Sequence, residues 1–346
     1  MTVPAPGLIS KDSQGCRSIE GEVDSYSSVA HLPSTTMYHV PRSAGKDTRW
    51  HSQRGQERRP TIDSRALQEE ASFVTPVRVA AIQMGATDDF GRNLDRASAL
   101  VDRAAESREQ VDVVCLPEYC YGLPSKVAEK ESSPTNRARI LDIMAAKASN
   151  YKTNIVTGSF PEPAGDGRCY NTTLVIDRQG NLVGQYRKTH LFDAMDSEES
   201  KSVAPGDALG LFDLDIGRIG ILVCYELRFP EIARTLVLRG AEFIFVPSAF
   251  PFGAPLPPRT DHWDTLTTST AVSNLVCVVA VNQFGQPGGE RLFGRSAIID
   301  SWGTRLAQPP AGEGVAIGEV DLAAQRELRG RIPVLDQRRP ELYNLG

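Results

Sequence analysis

The chain has 346 residues, with 40% hydrophobic and 23% charged side chains, the proportions of an ordinary globular protein. That allows a sizeable core, in one large domain or two smaller ones. A formal net charge of -5 leaves no basic footprint for nucleic acid, and no apolar run approaches the ~18 residues that a membrane helix needs.

Residues 1–75 are rich in Ser, Pro, Arg, Gln, Asp and Glu and hold no sustained apolar period. Such a segment cannot bury enough apolar surface to offset its ordering entropy. It reads as a disordered extension, with at most a short helix around Ser64–Ser72. The start, MTVPAPGLISKDSQGC, lacks the apolar run of a secretory signal. Asp12, Glu20, Glu22, Asp24 and Asp47 are out of place in an acid-poor transit peptide. An ordinary extension or an upstream start codon explains the segment better than targeting, and the expected compartment is the cytoplasm.

Residues 76–346 read as one domain. V-R-V-A-A-I-Q-M (77–84) is a buried strand. Leu94, Ala97, Leu100, Val101, Ala104 and Ala105 fall at helical spacing, so Asn93 to Glu106 is an amphipathic helix. Further strands are expected at Val111 to Leu116, Asn154 to Ser159, Asn171 to Asp177, Ile219 to Val223, Phe243 to Pro247, Val276 to Asn282 and Ser296 to Asp300. Further helices are expected at Ala138 to Ser149, Ile232 to Arg239, Asp261 to Asn274 and Asp321 to Leu328. Strands and helices alternate in the first half, which predicts a layered α/β or α+β domain with sheet inside and helices outside. No period of 20–50 residues recurs, which argues against a solenoid.

The six cysteines are Cys16, Cys115, Cys120, Cys169, Cys224 and Cys277, in spacings that match neither a zinc ribbon nor a small disulfide scaffold. Reduced thiols are the expectation. The five histidines, His31, His39, His51, His190 and His262, form no paired metal motif, and no metal is expected.

Three strand-end segments can carry chemistry. In C-L-P-E-Y (115–119) a buried strand stops at a proline and a carboxylate follows. Such a position opens onto the cleft side of a sheet, although Glu118 could equally cap the turn. In Y-R-K-T-H-L-F-D (186–193), Lys188 is either partly desolvated, where its charge acts strongly, or a snorkelling surface lysine. In G-I-L-V-C-Y-E-L-R-F-P-E (220–231) an apolar strand ends at Cys224, and Pro230 suits the first turn of a helix. Cys224 is a better nucleophile candidate than Cys115 or Cys277, which lie inside apolar strands; its alternative is a buried structural thiol.

The order Glu–Lys–Cys in L-P-E, Y-R-K-x-H-L and V-C-Y-E-L-R-F-P-E resembles the nitrilase (carbon–nitrogen hydrolase) superfamily, over roughly Val77 to Tyr343. A-I-Q-M (81–84), Y-N-T-T (170–173), A-P-G-D (204–207), H-W (262–263) and G-x-S-x-I-I-D-x-W-G (294–303) match as well. The resemblance implies a four-layer αββα sandwich, a homodimer or larger homo-oligomer, and no cofactor. It makes Glu118 the general base, Lys188 the cationic stabiliser and Cys224 the nucleophile. It adds a second glutamate, best matched by Glu199, with Asp196 and Glu198 as alternatives. Lys188 would favour the thiolate, Glu118 would take its proton, and Lys188 with the Tyr225 N–H would hold the oxyanion. A small amide would then be cleaved through a thioester to carboxylate and ammonia.

The flanking residues look most like the omega-amidase branch, whose members hydrolyse the terminal amide of short dicarboxylate monoamides such as 2-oxoglutaramate. A cation should then meet the distal carboxylate. Arg228 and Arg259 are candidates, though Arg228 could instead pair with Glu226 or Glu231. Thr260 and His262 are further candidates to line the pocket, with packing as the alternative for His262. The proline-rich loop 248–260 departs from the branch and is expected to sit over the pocket. An N-carbamoyl amine or amino acid hydrolase is the nearest rival, and a nitrilase is disfavoured by C-Y-E in place of C-W-E. An acyltransferase and a non-catalytic scaffold are rivals from other classes.

Overall fold

The computed structural model describes residues 76–122, 134–195, 197–253, 258–289 and 291–343. The expected extension over 1–75, its short helix and Asp196 lie outside the described residues. Two six-stranded sheets form the framework. In the first, β1 (Val77–Gln83), β2 (Val113–Cys115) and β3 (Asn154–Pro163) run parallel. The antiparallel β4 (Cys169–Ile176) and β5 (Leu182–Arg187) extend one side, and β14 (Gly314–Val320) covers the other. The second sheet repeats this plan. There β7 (Gly217–Ile221), β8 (Phe243–Ser248) and β9 (Cys277–Asn282) run parallel. β12 (Ala297–Ile299) and β13 (Arg305–Ala307) extend one side, and β6 (Gly210–Leu214) covers the other.

Each parallel step needs a crossover, and helices supply it. These are α1 (Phe90–Ala105), α2 (Pro134–Tyr151), α3 (Pro230–Leu238) and α4 (Thr260–Asn274). In α1, Asp89 caps the N-terminus by accepting from Arg92 N at 2.9 Å, and Leu94, Ala97, Leu100, Val101 and Ala104 form the buried stripe. Strand alternation then sorts the layers. Ala80, Ile82, Val114, Leu116, Ile155 and Leu174 pack under α1 and α2. Val79, Ala81, Val113, Cys115 and Val156 belong to one apolar cluster with Ile219, Phe243, Phe245 and Val279 of the second sheet. Ile232, Ala233, Leu236 and Ala271 of α3 and α4 complete that cluster. The result is the expected helix–sheet–sheet–helix order. A fifth helix, α5 (Leu322–Arg331), fixes β9, where Gln325 Oε1 accepts from Cys277 N at 2.8 Å.

Several boundaries differ from expectation. α2 starts at Pro134 and not Ala138, because proline suits the first helical turn. β3 continues to Pro163 because β4 pairs with it along its whole length. β5, β6, β13, β14 and the small hairpin β10 (Phe284–Gly285) and β11 (Leu292–Phe293) were not anticipated. Most are short or half-exposed and pair with the strand next to them in sequence, whereas β14 pairs with the distant β1. Among the described residues no helix is long and apolar enough to cross a membrane.

Candidate active site

The site opens at the C-terminal ends of the parallel strands, where the two sheets face one another. Leu116 N still bonds to Val156 O at 3.1 Å, but Pro117 offers no N–H and ends the pairing of β2. The chain then turns, with Tyr119 at φ 50°, and Glu118 points inward at 2% exposure. Gly158 makes the turn possible: a Cβ there would lie 2.2 Å from Pro117 O, and its own φ is +70°. Glu118 is thoroughly held. Its Oε1 accepts from Asn171 Nδ2 at 2.8 Å and Lys188 Nζ at 3.1 Å, and its Oε2 accepts from Ala249 N at 2.8 Å.

Lys188 follows β5. Its backbone is fixed on both sides, by Lys188 N to Asn171 O at 2.9 Å and Gly206 N to Lys188 O at 2.8 Å. The surface-lysine alternative fails, since Lys188 is 2% exposed. Its ammonium meets Glu199 Oε1 at 3.1 Å and Oε2 at 3.0 Å as well as Glu118. Burial alone would favour the neutral amine, but the two carboxylates outweigh it and hold Lys188 well above its ordinary pKa. Glu199 is steadied by Phe192 N at 2.6 Å and the Tyr119 hydroxyl at 3.4 Å. Of the three acidic candidates it is thus Glu199 that meets Lys188. The Glu198 carboxylate pairs with Lys201 at the surface, and Asp196 lies outside the described residues.

Cys224 begins a 3-10 turn (Cys224–Arg228) just beyond β7. Its φ is 51°, a left-handed conformation that costs a non-glycine residue on the order of 1–3 kcal/mol. At 8% exposure the residue is buried, yet it lines the cavity. Burial pushes its thiol well above the usual range, and the Glu118 carboxylate pushes it further, while Lys188 pulls the other way. Lys188 thus favours the thiolate, while burial and the Glu118 carboxylate favour the thiol. Proton transfer to Glu118 would move one negative charge from carboxylate to sulfur without changing the charge of the cluster. Cys115 and Cys277 are fully buried inside strands, with thiols pushed up by burial.

Glu226 is the largest omission of the sequence reading. It is fully buried and ties the cysteine turn to the lysine segment. Oε2 accepts from Val223 N at 2.7 Å, and Oε1 accepts from Thr189 N at 2.8 Å, Thr189 Oγ1 at 2.7 Å and His190 N at 3.1 Å. The Tyr186 hydroxyl bridges both oxygens, at 2.7 and 2.9 Å. Burial would favour its neutral form, but His190, Thr189 and the Val223 N–H prevail and hold the carboxyl low. Glu226 is therefore not available to Arg228. Among the described residues no carboxylate lies within ion-pair distance of Arg228, which instead meets His262 Nδ1 at 3.3 Å and sits 5.9 Å from the Phe250 ring.

These groups line a cavity of about 840 Å³. Its reactive end holds Glu118, Lys188, Glu199 and Cys224, and Tyr225, Arg228 and Arg259 also line it. Residues 249–253 of the proline-rich loop contribute to its wall, as expected. Thr260 and His262 are not among the lining residues: Thr260 opens α4, and the exposed His262 ring stands beside Arg228. Sequence reasoning also missed Asn171 and the Ala249 N–H, although Asn171 lies within the Y-N-T-T segment. Among the described residues no group of three or more His, Cys, Asp or Glu side chains could hold a metal ion.

This architecture is that of the nitrilase superfamily. Nit3 of Saccharomyces cerevisiae, a member of branch 10 of that superfamily, superposes with a TM-score of 0.68 at 30% identity, covering 77% of this chain and 97% of its own. An amidase from Nesterenkonia sp. AN1, solved with the acetamide moiety of fluoroacetamide added to its active-site cysteine, gives 0.66 at 25% identity over 78% and 95%. The omega-amidase of Homo sapiens is 32% identical over 282 residues, spanning 78% of this chain and 98% of that one. The carbon–nitrogen hydrolase family model matches residues 78–330, and the chain belongs to that family.

Proposed function

We propose that this enzyme cleaves the terminal amide of a short dicarboxylate monoamide, releasing ammonia and a carboxylate, as an omega-amidase does. The observation that carries the chemistry is the position of Glu118, fixed between Lys188, Asn171 and the Ala249 N–H beside the Cys224 thiol. Glu118 takes the thiol proton as the sulfur attacks the amide carbon. Lys188 stays charged through its contact with Glu199 and, with the Tyr225 N–H, holds the tetrahedral oxyanion. Each such donor lowers the barrier by on the order of 3 kcal/mol. Protonated Glu118 then gives its proton to the departing ammonia, which leaves a thioester on Cys224. Glu118 next draws a proton from water, and the resulting hydroxide releases the acid.

The relatives named omega-amidase, which align over 78% of the chain, favour this substrate class over N-carbamoyl compounds and nitriles. Arg228, half-buried on the nucleophile's own turn, suits the distal carboxylate. The five described cysteines are free thiols, which fits a reducing compartment, the cytoplasm. Half-exposed Leu238 of α3 and Val272 of α4 offer apolar surface for the homodimer or larger assembly we expect.

The test is ammonia release from a panel of 2-oxo acid monoamides, N-carbamoyl compounds and simple nitriles, with Cys224→Ala as the control. Ammonia from the monoamides, lost in Cys224→Ala at an unchanged melting temperature, is the expected result. Release that needs an added amine acceptor would point to an acyltransferase. Full activity in Cys224→Ala would refute the mechanism.

A further inference from the structure

Arg259 occupies an unusual position for a cation. It is 6% exposed, yet it lines the cavity. Its guanidinium stands 5.4 Å from the centre of the Phe250 ring and 5.6 Å from that of Phe192, and its Nη1 lies 3.7 Å from Met195 Sδ. Ring faces carry negative charge, so they attract the guanidinium and limit where its plane can turn. The backbone is fixed as well: Arg259 N donates to Phe252 O at 3.0 Å, and Arg259 O accepts from Trp263 N at 3.0 Å as α4 begins. Gly253 leaves the room for this arrangement. A Cβ there would come within 2.7 Å of Arg259 Nε and 3.1 Å of its Cγ, on a backbone with φ +91°.

The same Phe250 ring carries Arg228 on the nucleophile's turn, and Phe250 follows the residue whose N–H holds Glu118. Two planar forks therefore share one aromatic seat, next in sequence to the residue that holds the base. A carboxylate can be gripped by two guanidiniums at once, whereas an uncharged group offers neither fork a charge-assisted partner. At Arg259, only 6% exposed, that difference is less damped than at the open surface.

We propose that Arg259 is a specificity-determining residue of this site, closing with Arg228 on the carboxylate at the substrate end remote from the scissile amide. The inference rests on the amidase reading above and adds a second, aromatic-seated cation to it. Planar recognition by two forks would select a substrate whose remote end is a carboxylate over one ending in an amide or a methyl group.

The experiment measures kcat/KM of the full chain for two five-carbon amides, a dicarboxylate monoamide and neutral pentanamide, in wild type, Arg259→Gln and Arg259→Lys. The wild type should prefer the acid. Arg259→Gln should cut that preference roughly ten- to hundredfold, chiefly through KM for the acid, as expected for loss of a charge-assisted contact. Arg259→Lys keeps the charge and most of the stem but not the fork, and should recover part of the preference. A preference unchanged in both variants overturns the proposal, as does a wild type that does not distinguish the two amides. If Arg259→Gln does not fold, Arg259→Lys decides: an undiminished preference overturns the proposal and a reduced one supports it. A wild type that releases ammonia from neither amide defeats the amidase reading itself, a result distinct from the others.

Discussion

Replacing Glu226 with Gln keeps the shape of the side chain but turns one acceptor oxygen into a donor. The least costly placement keeps the amide oxygen where Oε1 meets Thr189 N, Thr189 Oγ1 and His190 N. The new NH2 then faces Val223 N–H, 2.7 Å from the present Oε2, and leaves a buried donor unpaired. An unpaired buried donor costs about 1–3 kcal/mol. The remaining hydrogen bonds lose their charge assistance, which brings the total to about 3 kcal/mol, at the low end of what breaking a buried charged pair costs. At about 2–4 °C per kcal/mol for a sizeable domain, thermal unfolding should fall by roughly 6–12 °C. Because Glu226 joins the Cys224 turn to the Lys188 segment, turnover should also fall, by up to about a hundredfold for a displacement near 1 Å. Differential scanning calorimetry and ammonia release measure the two effects. A Glu226→Gln enzyme that melts within about 2 °C of wild type and turns over normally would refute the assignment of Glu226 as the tie between the two segments.

Alkylation of Cys224 by iodoacetamide should accelerate steadily with pH and reach no plateau below pH 9, since the thiol is held above its ordinary value of 9.0; a plateau near neutrality would reveal a preformed thiolate. His190 is raised above 6.5, first by the Glu226 carboxylate, whose Oε1 lies 3.7 Å from its Nδ1. Its contribution to stability is therefore complete below pH 6.5 and is lost as pH rises through the higher folded value. Melting temperatures across that window should decline more steeply in wild type than in His190→Asn, and equal slopes would dismiss the pair. Removing residues 1–75 should leave turnover within a few fold, and an insoluble product would show that the segment is integral.

The strand-end positions of Glu118 and Cys224 were legible because each follows an apolar run broken by a local signal, Pro117 in one case and a charged turn in the other. Lys188 was legible only through the motif around it, since burial of a lysine depends on what surrounds it. The partners of Glu118 were hidden, because the Ala249 N–H comes from 131 residues away in sequence. Glu226 was set aside as a partner for Arg228, because nearness in sequence suggested a pair that the fold prevents. β14 carried a signal that was overlooked: G-V-A-I-G-E-V alternates buried and less buried positions, the period of a strand with one covered face.

The two sheets share a strand plan, and the reacting groups are split between them. Opening the chain between Glu199 and β6 would leave Glu118, Lys188 and Glu199 on one fragment and Cys224 on the other. Neither fragment could run the reaction alone, so restored turnover on mixing would be a chemical reporter of whether the halves recognise each other.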